Sequence, residues 1–538
     1  MASALARHLR PDSEEAGESQ RSEGGDGWKS AEPRQLAFVF ADRPQGDKAH
    51  DLQDESDGKR FLEHTAKGSS CRESAAGTAA AGRLMEAVAS AGNLAQALLK
   101  VLRNKGTPGV DGRSVEQVVE EAPALLPELP KSLLQGTYRP GEIRRVGIPK
   151  PGGGQRGLGI PNVGDRWVPQ AVLQVREPIF EPRFHRSSHG FRAHRGAHTA
   201  IAEAKQYLGE GYRVVVDLDL SKFFDRVHHQ RLLSRLRQQV GDERIRNLVR
   251  RMLKAKVVMP DGTKVSTEEG TPQGGPLSPL LSNIVLDEWD WELERRGLRF
   301  VRYADDCNIF VRSQRAGQRV MASTRRFLER RLRLQIHEAK SSVTQPEKVH
   351  FLGFRFGTHS GPNVEVLLSA KTKAKLQARI LELTPRHWGR SLRACMEGLN
   401  EYFQGWIAYF RICTEVGADE FRRYDAHTRR RLRAIVICQK KRSRFLYRHL
   451  VRRGASSAPA AGVAYSGRGV WHRSNRPGMT KAYPNHWFRG QLGSLYDRWH
   501  MANLPRQSRA SFVWPGEMSI QRAGCEARKS GSVRGAAG

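Results

Sequence analysis

The stretch Phe300-Val301-Arg302-Tyr303-Ala304-Asp305-Asp306-Cys307-Asn308-Ile309-Phe310-Val311-Arg312 sets two adjacent aspartates between two apolar runs. The runs Phe300–Tyr303 and Asn308–Arg312 predict strands, joined through Ala304-Asp305-Asp306 in a tight hairpin. Two carboxylates at the tip of a buried hairpin are costly unless something neutralises them. Like charges that close raise each other's pKa or demand a cation. Hard oxygen ligands suit Mg²⁺, which binds through a few carboxylates plus substrate phosphates. Two such ions about 3.5–4 Å apart would clamp the attacking and leaving oxygens of a phosphoryl transfer. A second acidic spot lies 86 residues upstream, in Asp217-Leu218-Asp219-Leu220-Ser221-Lys222-Phe223-Phe224-Asp225. The β-branched run Val214-Val215-Val216 before it predicts a buried strand over Tyr212–Leu220.

Outward from these strands, the chain is 538 residues long, enough for several lobes and a large core. Its 90 Lys+Arg exceed its 56 Asp+Glu by 34 charges, and an excess this large over a folded length favours polyanionic partners. The excess is uneven. Residues 1–80 hold 11 basic and 15 acidic side chains, leaving +38 on the remainder. Those 80 residues are rich in Gly, Ser, Glu and Asp with little periodicity, and predict a disordered leader. Apolar residues at helical spacing begin near Leu84 and run to Leu102. Turns and short strands are predicted over Pro140–Pro161, and helices from Ala370 to Leu450. The Gly/Ala/Ser-rich segment 454–470 predicts a linker. Six cysteines without a C-x-x-C pair indicate neither a disulfide framework nor a zinc site, and suit a reducing, cytoplasmic setting. No run of about 18 apolar residues predicts a membrane span, so no membrane partner is expected.

Tyr303-Ala304-Asp305-Asp306 resembles the signature of reverse transcriptases. Its surroundings resemble the group II intron-encoded reverse transcriptase/maturases, most closely their bacterial class C branch. The resemblance is carried by Gly270-Thr-Pro-Gln273-Gly-Gly-Pro-Leu-Ser-Pro-Leu-Leu-Ser-Asn283 and Ile148-Pro-Lys150-Pro-Gly-Gly-Gly-Gln-Arg156-Gly-Leu-Gly-Ile-Pro161. Ser188-His189-Gly190-Phe191-Arg192 and Phe351-Leu352-Gly353-Phe354 add to it, and it runs from about Leu84 to Leu495. It implies an α/β right-hand polymerase with fingers and palm over 81–357. An α-helical thumb or maturase domain over 358–450 would follow, then a linker over 451–470. A short nucleic-acid-binding segment over 471–538, without an endonuclease module, would complete the chain.

Residue by residue, the resemblance implies that Asp219, Asp305 and Asp306 hold two Mg²⁺ ions and are the catalytic carboxylates. Asp217, two residues before Asp219 on the same strand face, is read as a nearby charge. Lys150 and Arg156 lie on a Gly-rich turn, where a point charge and a guanidinium fork suit a triphosphate. Phe224 matches the aromatic that excludes a ribose 2′-hydroxyl, while Phe223 is the core residue of the pair. Gln273 and Lys340 match residues near the nucleotide, and Phe351-Leu352-Gly353 matches the turn that grips a primer end.

Farther on, Leu399, Tyr402, Phe403, Trp406, Tyr409 and Phe410 form one apolar helix face, a packing stripe. Arg422–Arg448 carries eleven basic residues against one acid, Asp425. Among them Arg429, Arg430, Arg431, Arg433, Lys440 and Lys441 are the candidates for phosphate contact. Here the chain departs from the family: His427, Ile437 and Lys440 stand where tryptophans are usual. Trp471-His472-Arg473-Ser474, Ala482-Tyr-Pro-Asn485 and Trp487-Phe488 resemble the class C carboxy-terminal segment. The implied activity is RNA-directed DNA synthesis with maturase assistance to splicing and support of intron mobility. The implied partners are intron RNA, an RNA template with a DNA primer, target DNA and deoxynucleoside triphosphates. Two rivals share the residues: a reverse transcriptase recruited to phage defence or a CRISPR system, and a non-catalytic RNA-binding splicing factor.

Overall fold

The computed structural model describes residues 84–149, 154–358, 363–386 and 389–504. The leader 1–80, Lys150 and the last residues of the chain lie outside them. No helix among the described residues is long and apolar enough to cross a membrane.

The first helices, Leu84–Ala89 and Ala91–Arg103, divide at Ser90, whose hydroxyl accepts from Asn93 N and caps the second. Strands β1 (Ile143–Pro149) and β2 (Gln155–Ile160) pair antiparallel, in the region where the Pro/Gly punctuation predicts short strands. β3 (Val214–Asp219) belongs to the palm. The short β4 (Val257–Val258) and β5 (Lys264–Val265) extend the β1–β2 hairpin into a sheet of order β2-β1-β4-β5. β6 (Arg299–Tyr303), β7 (Asp306–Val311) and β8 (Ser342–Thr344) join β3 in an antiparallel palm sheet of order β6-β7-β3-β8. β9 (Phe354–Thr358) and β10 (Val364–Leu368) form a separate hairpin leading to the thumb.

The palm sheet is buried on both faces, which is why β3 reads as a continuous apolar run. Val214, Val216, Leu218, Cys307 and Ile309 join a core with the amino-terminal helices and the Ser278–Arg295 helix. Val215, Val301 and Phe310 point the other way, into a core shared with the Ala197–Gly209 helix, β9, β10 and the thumb. That second core runs on without a break to Trp499.

Helices Ala370–Leu383, Leu392–Phe410, Glu415–Gln439 and Ser443–Arg452 build the thumb. In the expected stripe Leu399 and Phe403 are fully buried, and Tyr402, Trp406, Tyr409 and Phe410 pack against the same core. The expected linker over 451–470 is corrected. Ser457–Ala464 is a helix whose Ala460, Val463 and Ala464 are buried. The small residues that suggested flexibility include alanine, the best helix former, and they allow close packing between helices.

Candidate active site

β3 and β7 pair with Asp219 opposite Asp306 and Asp217 opposite Asn308. Opposed residues share a face of the sheet, so strand register alone brings the two acidic spots together. Asp305 sits one residue earlier, in the two-residue turn that joins Tyr303 to Asp306. Asp306 therefore opens β7, two residues before the predicted start of that strand. Burial, and then the charges of Asp305, Asp219 and Asp217, push the Asp306 carboxyl up to about 7. Burial and Asp219 push Asp217 up to about 7 as well. Asp305 is raised by burial and by Asp219, against the opposing pull of Arg156 and Lys340.

Lys340 places its Nζ 2.9 Å from Asp219 Oδ2. Its segment is stitched to the end of β3, since His337 N donates to the Asp219 carbonyl and Asp219 N donates to Ser341 Oγ. Among the described residues no three metal-ligating side chains already converge on one point. The donor chemistry fits a divalent cation nonetheless. The donors are all oxygen, the carboxylates repel one another, and an ammonium already rests on one of them.

The turn is sharply bent. Ala304 has φ +56°, a left-handed conformation that costs an L-residue about 1–2 kcal/mol. Gly190 backs it so closely that a Cβ there would lie 2.3 Å from Ala304 N. Only glycine fits at that place.

The turn Lys222–Asp225 after β3 buries Phe223 and leaves Phe224 half-buried against it. Thr271 N donates to the Phe224 carbonyl, and Gly270, at φ +92°, lies against the same turn. Gln273 follows and is held from both ends. Arg156 Nε donates to its Oε1 at 3.0 Å, while its Nε2 lies 3.5 Å from Asp225 Oδ2. Arg145, on β1, approaches the other oxygen of Asp225 at 3.5 Å. The structure thus brings Arg156 and Gln273 together against the Phe224–Asp225 turn that follows β3, and Lys340 onto Asp219. Arg145 and Asp225, which tie the fingers hairpin to the palm, are not singled out by the sequence. The primer-grip candidate is a tight turn clamped by the thumb, with Tyr409 Oη donating to the Leu352 carbonyl and Thr372 Oγ1 to that of Gly353.

Two family models match the chain. Residues 148–356 match "Reverse transcriptase (RNA-dependent DNA polymerase)" and residues 373–454 match "Group II intron, maturase-specific domain". Protein YkfC of Escherichia coli K12 is 33% identical over 357 residues, which is 59% of this chain and 91% of that protein. This chain belongs to the group II intron reverse transcriptase/maturase family. The group II intron-encoded protein LtrA of Lactococcus lactis is 36% identical over 202 residues, 37% of this chain and 33% of that one. A putative COX1/OXI3 intron 1 protein of Saccharomyces cerevisiae is 32% identical over 202 residues, 37% of this chain and 24% of that one. The chain therefore spans about a third of LtrA's length and about a quarter of the yeast protein's. Enzymes with this reverse transcriptase domain generally use divalent metal ions.

Within the maturase domain the basic candidates separate. Arg431 is buried, giving Nε to Thr384 Oγ1 and Nη2 to the Thr384 carbonyl, both at 2.6 Å. Arg433 is buried and donates to the Tyr483 carbonyl and Asn485 Oδ1. These two are corrected from phosphate contacts to internal ties, because every donor aimed at a carbonyl or hydroxyl inside the protein is lost to a ligand. Arg430 is half-buried, stacked 4.0 Å from the Trp471 ring and bonded to the Trp471 carbonyl. Arg429 is half-buried beside Asp425, whereas Lys440 and Lys441 are exposed. Asp425, the lone acid, receives Leu495 N and Tyr496 N at the start of the Leu495–Asn503 helix. A carboxylate there offsets the positive end of that helix. His427, the departure from the family pattern, packs its ring on Trp471, 5.5 Å between centroids. Residues 471–504 are thus docked on the Glu415–Gln439 helix rather than separate from it.

Proposed function

We propose that the chain is an RNA-directed DNA polymerase of a group II intron that also binds the intron RNA and assists its splicing and mobility. The observation that carries this is the cross-strand register of Asp219 with Asp306, with Asp305 in the adjoining turn. Asp219, Asp305 and Asp306 would hold two Mg²⁺ ions, which when bound supply charge stabilisation to both the attacking and leaving oxygens of the phosphoryl transfer. Around them, Arg156 and Gln273 form a polar ledge for the triphosphate, and Lys150, six residues before Arg156 in the sequence, would add a point charge to it. Lys340 is placed to leave Asp219 for phosphate oxygens when nucleotide arrives. Positioning of the primer 3′-hydroxyl against the α-phosphate accounts for much of the rate. The substrates are an RNA template, a DNA primer and deoxynucleoside triphosphates, with target DNA as the primer source in mobility. The place of action is the bacterial cytoplasm, at the nucleoid when DNA is the partner.

Purified protein with an RNA template, annealed DNA primer, deoxynucleotides and Mg²⁺ is expected to give template-length product. No extension would overturn the polymerase reading and favour a binding protein. Phe224, half-buried and fixed through its carbonyl to Thr271, is the gate for the sugar. Phe224→Ala is expected to cut discrimination against ribonucleotides by at least about tenfold, because only steric exclusion is removed. Competing deoxy- and ribonucleotides in single-turnover extension measure this. Unchanged sugar selectivity would remove Phe224 from the role.

A further inference from the structure

Arg302 lies in β6, two residues before Ala304, and neither it nor its partner Asp290 has any exposed side chain. A guanidinium carries five N–H donors in a fixed fork. All five are used. Nε donates to Asp290 Oδ1 at 2.7 Å, and Nη2 to Asp290 Oδ2 at 2.6 Å and Ser188 Oγ at 2.7 Å. Nη1 donates to Asn283 Oδ1 at 3.1 Å and to the carbonyl of Ala304 at 2.9 Å. Asn283 passes the contact on, since its Nδ2 donates to the Gly190 carbonyl at 2.9 Å. Main-chain bonds from His189 N to the Arg302 carbonyl and from Arg302 N to the Ser187 carbonyl lay the 187–190 segment along β6.

We propose that Arg302, locked by Asp290, is a positioning residue that fixes the left-handed Ala304 turn and so sets where Asp305 and Asp306 present their oxygens. The inference rests on the polymerase reading for what those oxygens do. Three parts of the chain distant in sequence meet on the one guanidinium: the 188–190 segment, the Ser278–Arg295 helix and the turn itself. The Ala304 carbonyl is the one acceptor among the five that belongs to the turn. Its hydrogen bond opposes relaxation of a residue held at φ +56°. A lysine could keep the charge, but its three donors on a single nitrogen cannot reach the acceptors of a planar fork.

Replacing Arg302 alone strands a buried carboxylate and can unfold the palm, so the informative variant replaces both partners. The Arg302→Met/Asp290→Leu protein removes the ion pair together with the bond to Ala304. Buried pairs often exchange for apolar residues without loss of fold. Two quantities are read, each beside the wild type and the Arg302→Lys protein, with folded fraction checked by thermal unfolding. One is Mn²⁺ binding to the free protein by electron paramagnetic resonance, which needs no catalysis. The other is single-turnover primer extension across a range of deoxynucleotide concentrations, which gives both the maximal rate and the nucleotide KM. Expected is Mn²⁺ affinity reduced about tenfold and extension slowed about a hundredfold, with nucleotide KM within about threefold, the scale of a catalytic group misplaced by about 1 Å. The lysine protein should lie between.

A folded double variant with wild-type Mn²⁺ affinity and rate would overturn the inference while leaving the polymerase reading intact. If the wild type itself fails to extend a primer, that reading falls, and Mn²⁺ affinity alone then decides the role of Arg302. Should the double variant be unfolded, the lysine protein decides, and full rate with unchanged Mn²⁺ affinity in it would overturn the inference.

Discussion

Primer extension by the Asp305→Asn protein is expected to fall by about a thousandfold or more, with the Asp219→Asn and Asp306→Asn proteins equally affected. An amide keeps the shape of the carboxyl but not the charge, so what is lost is electrostatic. Asp217→Asn should remain within about tenfold of wild type, because Asp217 lies two residue pairs deeper in the register, opposite Asn308. Stability should move the other way. Asp306 and Asp217 are raised by burial and by neighbouring carboxylates, so each charge removed relieves repulsion in the folded protein. Thermal unfolding of the Asp306→Asn and Asp217→Asn proteins in chelator, above pH 7 where both carboxylates would be charged, should therefore occur at or above the wild-type temperature. An inactive Asp217→Asn protein beside an active Asp219→Asn protein would reverse the assignment.

Arg433→Ala is expected to destabilise the protein by about 3 kcal/mol, with little direct effect on phosphate contact. Its guanidinium is what fastens the 483–485 turn to the Glu415–Gln439 helix, and the Tyr483 carbonyl would lose both donors. Lys440→Ala/Lys441→Ala should do the opposite. Stability should stay within about 0.5 kcal/mol, as for other exposed substitutions. RNA binding should weaken, and its log–log salt dependence should flatten by about one unit per lost phosphate contact. Chemical denaturation and salt-titrated RNA binding separate the two. A stable Arg433→Ala protein with a flattened salt slope would return Arg433 to the nucleic-acid surface.

That contrast shows where the sequence speaks and where it falls silent. The paired aspartates, the hairpin between apolar strands and the apolar run of β3 are local patterns, and the palm could be read from them. The union of Asp219 with Asp306 follows from strand register once β3 and β7 are neighbours. Charge counting cannot tell Arg433 from Lys441, because the deciding acceptor lies 50 residues away in the chain at Tyr483. A usable signal was present. Phe421, Asp425, Thr428, Leu432 and Ile435 mark a buried stripe, and Arg431 and Arg433 flank Leu432 where the helix is enclosed on nearly every side. Arg302 was harder to see, since one basic residue in a strand looks like any solvated position. Its partners at 188, 283 and 290 come from separate segments. Alanine-rich 457–464 misled for a different reason: small side chains serve both loose chain and tight helix packing.

The core that passes unbroken from the palm sheet to Trp499 has a mechanical meaning. Lobes that share a hydrophobic interior cannot swing on a hinge without opening it to water, whereas lobes joined by a few polar contacts can. The thumb is therefore the stiff jaw of this hand. The β1–β2 hairpin is held more lightly, through the polar contacts of Arg145, Asp225, Arg156 and Gln273 and one main-chain bond from Gly159 to Gln273, with Arg156 itself in solvent, so give is expected there. A duplex would be admitted and advanced by give in the fingers, against a backstop that does not yield.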